Sequence, residues 1–119
     1  MPTEDPTDFR IVKVLESVKS NPSETLPNLA RLVNLSNSRL GHLFKSEIGI
    51  SLSSFLEEQR LEKAAQLLRS TEMRVKEITF SIGYQHETSF DRAFLRKFGC
   101  TPTDYRRVQR SLLRDSGRC

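Results

Sequence analysis

Between Ser38 and Lys45, and again between Glu87 and Lys97, polar and charged side chains alternate with apolar ones at helical spacing. With Leu40 set toward a core, steps of about 100° per residue put Ser38, His42 and Lys45 within about 40° of the opposite face, with Arg39 and Gly41 flanking them. With Phe90 set inward, Thr88, Arg92 and Leu95 lie opposite, Asp91 sits beside them and Glu87 stands at the helix start. These residue types match the edges of base pairs. A guanidinium such as that of Arg92 offers two donors to O6 and N7 of guanine, a threonine such as Thr88 meets a thymine methyl or makes a single hydrogen bond, and carboxylates such as Asp91 and Glu87 accept from a cytosine amino group. Near phosphates the same carboxylates also repel wrong registers.

Charge points the same way. The chain of 119 residues carries 19 Lys and Arg against 15 Asp and Glu, and hydrophobic residues make up 36%. The first half, through Arg60, is close to neutral, whereas the second half holds the excess, with a run of Arg106, Arg107, Arg110, Arg114 and Arg118. Such asymmetry suits a polyanionic partner. The composition is that of a soluble globular chain, no apolar run approaches the ~20 residues that span a bilayer, and the start MPTEDPTD does not read as a signal peptide. A soluble cytoplasmic protein is expected, with no membrane partner.

Enzyme chemistry finds no support. Cys100 and Cys119 form no C-x-x-C pair and have no histidine at ligand spacing, so neither a zinc site nor any other metal is expected. Near one end of a chain without an export signal they also make a poor disulfide framework. His42 and His86 pair with no nucleophile, and there is no glycine-rich phosphate loop. No cofactor and no small-molecule ligand are expected within this chain.

The elements that must position the polar faces are all helical. Residues 1–7 read as an arm or linker. A helix stripe of Ile11, Leu15 and Val18 follows, ended by Asn21-Pro22. A short helix over residues 27–33 has Thr25 as its cap, and Asn34-Leu35-Ser36 is a tight turn in which Asn34 tolerates positive φ. Ser36 caps the next helix, which runs to Ile48 with Leu40, Leu43 and Phe44 inward and stops at Gly49. A long helix over residues 52–68 buries Leu52, Phe55, Leu56, Leu61, Ala64, Ala65 and Leu68. Residues 75–82 form another short helix, Gly83-Tyr84 a turn, and residues 87–97 a longer helix burying Phe90 and Phe94. Gly99 stops it, and Thr101-Pro102 opens a last helix with Asp104 completing a capping box.

The second half thus repeats the first. Leu29-Ala30 matches Ile78-Thr79 at an offset of 49, while Phe44 and Phe94, Gly49 and Gly99, Ser51 and Thr101, and Phe55 and Tyr105 match at 50. The expected fold is all-α, about seven helices in two helix-turn-helix subdomains over residues 8–50 and 71–112. A linker helix over residues 51–70 joins them, and residues 113–119 form a tail. A short scaffold helix, a turn and a second helix is the arrangement that presents the second helix to a major groove.

Arg60-Leu61, Ala64, Leu67-Leu68, Ile78, Ile82, Gly83-Tyr84, Phe90, Arg92, Phe94, Gly99, Thr101-Pro102 and Tyr105-Arg106 together resemble the signature of the AraC/XylS family of bacterial transcription regulators, over about residues 8–112. The resemblance implies two recognition helices in adjacent major-groove segments of double-stranded DNA. It also implies control of transcription, usually activation, through RNA polymerase, and hence a cytoplasmic, nucleoid-associated place. Ser38, His42 and Lys45, with Arg39 and Gly41, match base- and phosphate-reading positions of the first helix; Glu87, Thr88, Asp91 and Arg92 fall on the second.

Three residues depart from the family pattern. Leu95 stands where Lys is common, leaving Arg96 and Lys97 to replace a phosphate contact. His86 stands where Ser or Asp usually caps the helix. Thr79 replaces a usual Ala, so its hydroxyl needs a partner. The alternative function is a helical protein-interaction module that does not bind DNA.

Overall fold

Asp8 opens the first helix of the computed structural model, which describes residues 8–111. The expected arm (residues 1–7) and tail (residues 113–119), with Arg114, Arg118 and Cys119, lie outside the described residues. Asp8 accepts the Arg10 N–H at 2.8 Å and binds the Arg10 guanidinium through both carboxylate oxygens. This holds its carboxyl below the usual carboxylate range, first through the Arg10 side chain. Helix α1 then spans Phe9–Ser20.

Six more helices follow: α2 Leu26–Leu32, α3 Asn37–Ile48, α4 Leu52–Ser70, α5 Val75–Ser81, α6 Glu87–Phe98 and α7 Pro102–Ser111. No strand occurs among the described residues. Four of these six helix starts are capped by a hydroxyl side chain. Thr25 Oγ1 accepts the Asn28 N–H, Ser36 Oγ the Arg39 N–H, Ser51 Oγ the Ser54 N–H and Thr101 Oγ1 the Asp104 N–H, each pairing a donor that the helix itself leaves unpaired. The C-termini of α3 and α6 end on Gly49 (φ 96°) and Gly99 (φ 82°), left-handed positions where a Cβ is costly.

The chain divides into two units at Gln59 and Arg60, inside α4. The first unit packs Ile11, Val14, Val18, Leu29, Ala30, Val33, Leu40, Phe44, Leu52 and Leu56 into one core, with Leu15, Leu43 and Phe55 only partly buried against it. Val14, absent from the expected stripe, is fully buried, so the stripe of α1 runs 11, 14, 18 and Leu15 takes its flank. The second unit buries Leu61, Ala64, Ala65, Leu68, Ile78, Ile82, Phe90, Ala93 and Phe94.

Both turns share one backbone scheme. Asn34 (φ 59°) and Gly83 (φ 100°) take the left-handed conformation after α2 and α5. The next N–H in each, of Leu35 and of Tyr84, reaches back to the carbonyl of Ala30 and of Thr79, at 3.0 and 3.1 Å. That bond closes the preceding helix and turns the chain into the next. Buried Thr79 finds its hydroxyl partner within its own helix, donating to the Val75 carbonyl at 2.8 Å. Cys100 is half-buried in the turn after Gly99.

Candidate nucleic-acid interface

Helix α3 is oriented by what it buries. Leu40 and Phe44 are fully buried, and the Phe44 ring meets Phe55 of α4 at 5.3 Å between centroids. The opposite side is left to solvent: Ser38, Arg39, His42 and Lys45 are exposed and Gly41 half-buried. A Cβ built on Gly41 meets nothing within 4 Å. Packing within the chain therefore gives no reason for glycine there, and the bare helix surface leaves room for close approach by a partner.

Helix α6 is held by a ladder of rings. Phe90 packs on Tyr84 at 5.6 Å and on Phe94 at 5.6 Å, and Phe94 in turn touches Phe98 at 4.4 Å and Tyr105 at 5.3 Å. Tilted and edge-on rings at these separations are favourable beyond the area they bury, and they fix the rotation of α6 about its axis. The face that results exposes Glu87, Thr88, Asp91, Arg92, Leu95 and Arg96. Phe44 with Phe55 and Phe94 with Tyr105 are equivalent pairs in the two units, so α3 and α6 are each rotated by the same kind of contact.

The electrostatics of this face are mixed. Partial burial, and then the nearby Glu87 charge, push the Asp91 carboxyl above its ordinary value. Glu87 and Asp91 lie one helical turn apart, where like charges repel. His86 begins α6 in extended conformation and makes no side-chain capping bond.

Lys97 does not join the face. Its Nζ pairs with Glu62 of α4 at 3.3 Å and lies over the Phe98 ring, leaving 22% of the side chain exposed. The arginine run of α7 is likewise engaged within its own unit. Arg106 donates to the carbonyls of Leu68 and Thr71, Arg107 pairs with Asp104 and Arg110 with Glu72. Arg106 thus closes the C-terminal end of α4 rather than adding a free cation. Sequence reasoning counted it with the surface charge because its acceptors are backbone carbonyls, which leave no trace in side-chain spacing.

A helix-turn-helix domain family model matches residues 29–108. Among curated proteins, the chain is 33% identical over 102 residues to the HTH-type transcriptional regulator MtrA of Neisseria gonorrhoeae, covering 84% of this chain and 34% of that protein. To the arabinose operon regulatory protein of Escherichia coli K12 it is 31% identical over 104 residues, 85% of this chain and 36% of the relative. The chain therefore spans about a third of the length of the curated relatives it matches. Among solved structures, the C-terminal domain of AraT, a response regulator from Geobacillus stearothermophilus, superimposes with a TM-score of 0.76 at 34% identity, covering 85% of this chain and 86% of that one. The DNA-binding domain of AdpA, a global transcriptional factor solved with a target DNA, shares the fold with a TM-score of 0.80 at 22% identity, over 92% of this chain and 100% of that domain.

Proposed function

This chain belongs to the AraC/XylS family of helix-turn-helix transcription regulators, and from that premise we propose that it binds double-stranded DNA sequence-specifically through α3 and α6 and thereby regulates bacterial transcription. The observation that carries the reading is the repeated face. In both units a helix entered through the same turn buries one side, Leu40 and Phe44 in α3 and Phe90 and Phe94 in α6, and exposes polar side chains at equivalent positions. Recognition helices of this motif read base edges from such a face. Arg92 is the principal base reader, on guanine; Thr88, Asp91 and Glu87 complete the second helix. Ser38, Arg39, Gly41 and His42 form the first, and Lys45 and Arg96 meet phosphates. Lys97, tied to Glu62, supports α6 from its other side.

The proposal extends, on the family resemblance alone, to activation through RNA polymerase and to action in the cytoplasm at the nucleoid. No helix among the described residues is long and apolar enough to cross a membrane.

Selection of bound duplexes from a random pool, at stated salt, tests the core of the reading. A preferred site with two contacted segments about 10 base pairs apart is expected, with log K falling against log[salt] at a slope of roughly −5 to −7 if about 6–8 phosphates are neutralised. Inserting about 5 base pairs between the segments turns one to the far side of the duplex and abolishes specific binding if both helices engage. A slope near zero with no preferred sequence overturns the proposal in favour of a protein-interaction module.

A further inference from the structure

Leu95 is 48% exposed on α6, a helix that has already buried Phe90, Ala93 and Phe94 on its other side. It continues the stripe of Thr88 and Arg92 at spacings of four and three residues, the spacing of one helix face. Its equivalent in the first unit is Lys45, also exposed. Where α3 carries a cation, α6 carries a branched apolar side chain, about half of it left uncovered among the described residues.

Resting on the proposed DNA reading, we propose that Leu95 is a specificity-determining residue that reads the 5-methyl group of a thymine at the far edge of the second recognition segment. From Thr88 to Leu95 is seven residues, about 10 Å along the helix, which fits across a major groove about 12 Å wide. Thymine is the base that presents an apolar group in that groove, and apolar side chains meet it. The contact also gives the exposed leucine a desolvated partner. A lysine in its place would have added affinity for any sequence; the leucine gives up that phosphate contact and gains a preference.

Deoxyuracil removes the methyl group and leaves every hydrogen-bonding edge of thymine intact. Each thymine of the selected second segment is replaced in turn by deoxyuracil, and affinity is measured for the full chain and for Leu95→Ala, Thr88→Ser and Arg92→Ala. One replacement is expected to weaken the unmodified protein about fourfold, the scale of one buried methyl-sized group. The same replacement should leave Leu95→Ala nearly unchanged, while the effect survives in Thr88→Ser. Because Leu95 is exposed, the alanine variant should keep its helical circular dichroism and its Arg92-dependent base preference.

The inference is overturned if no thymine shows a Leu95-dependent effect while Arg92-dependent preference persists. It is equally overturned if the uracil effect is lost in Thr88→Ser and kept in Leu95→Ala. Loss of all sequence preference in the unmodified chain is a different result, one that removes the DNA reading itself and this inference with it.

Discussion

Arg106 Nε lies 3.1 Å from the carbonyl oxygen of Leu68, and Nη2 of the same guanidinium lies 3.0 Å from that of Thr71. The last carbonyls of α4 have no partner within the helix, and the planar fork of Arg106, brought from α7, supplies one. Arg69 adds a second link between these helices by donating to the Tyr105 hydroxyl at 3.0 Å. Arg106→Ala is expected to destabilise the fold by about 1.5–3 kcal/mol, the range for hydrogen bonds to a charged group. Arg106→Lys should recover only part, since an ammonium lacks the fork. Urea denaturation reads both, and an unchanged midpoint in the alanine variant would contradict the capping role.

His86 holds the N-cap position of α6 with φ −137° and ψ 135°, the backbone that a capping residue needs, but without a side-chain bond. Substituting His86→Ser supplies an oxygen for the orphan N–H groups and should stabilise the protein by about 1 kcal/mol. Thermal melting at constant pH checks this.

Gly41 lies inside α3 with empty space where a Cβ would stand. Gly41→Ala should therefore raise stability by about 1 kcal/mol through helix propensity. Binding of the selected duplex should weaken in the same variant, because the added methyl meets the groove. Stability and affinity moving in opposite directions is the outcome to look for, in a melt and a gel shift of one protein preparation.

Arg92→Ala should cost about 1–3 kcal/mol on the preferred site and relax preference at one base pair. Lys45→Ala should instead weaken all sequences alike and make the salt slope shallower by about one unit. Sequence preference that is unchanged in Arg92→Ala removes this residue from base reading.

Asp91 titrates above its ordinary value because burial and Glu87 disfavour its charged form. For a carboxyl raised in the folded state, the contribution to stability is largest at low pH and is lost as pH rises through the folded pKa. Asp104, lowered chiefly by the Arg107 side chain, behaves oppositely: its contribution is present at neutral pH and is lost as pH falls through its folded value. Asp91→Asn should therefore stabilise the protein most at neutral pH and little at acid pH, whereas Asp104→Asn should destabilise at neutral pH. Melting temperatures of the two variants across acid to neutral pH decide the signs.

Much of this molecule is written in local chemistry. Ser36, Ser51 and Thr101 cap the helices they precede, Gly49 and Gly99 end α3 and α6, and Asn34 and Gly83 turn the chain at positive φ. Each of these devices acts over a few residues, so helix boundaries and the internal repeat were legible before any packing was known. The exposed faces of α3 and α6 followed too, because Leu40, Phe44, Phe90 and Phe94 must turn inward and the rest of a helix has no freedom left.

Partners distant in sequence were not legible. Val14, rather than Leu15, completes the stripe of α1, because the inner face depends on how α1 meets the rest of its core. Lys97 turns to Glu62 and Arg106 to carbonyls 38 and 35 residues away. Spacing along a helix says which side a residue is on; it does not say what another helix places there. Local bonds settled the backbone of the two helix-turn-helix units, while tertiary contact alone decided that Lys97 pairs with Glu62 and Arg106 with the end of α4.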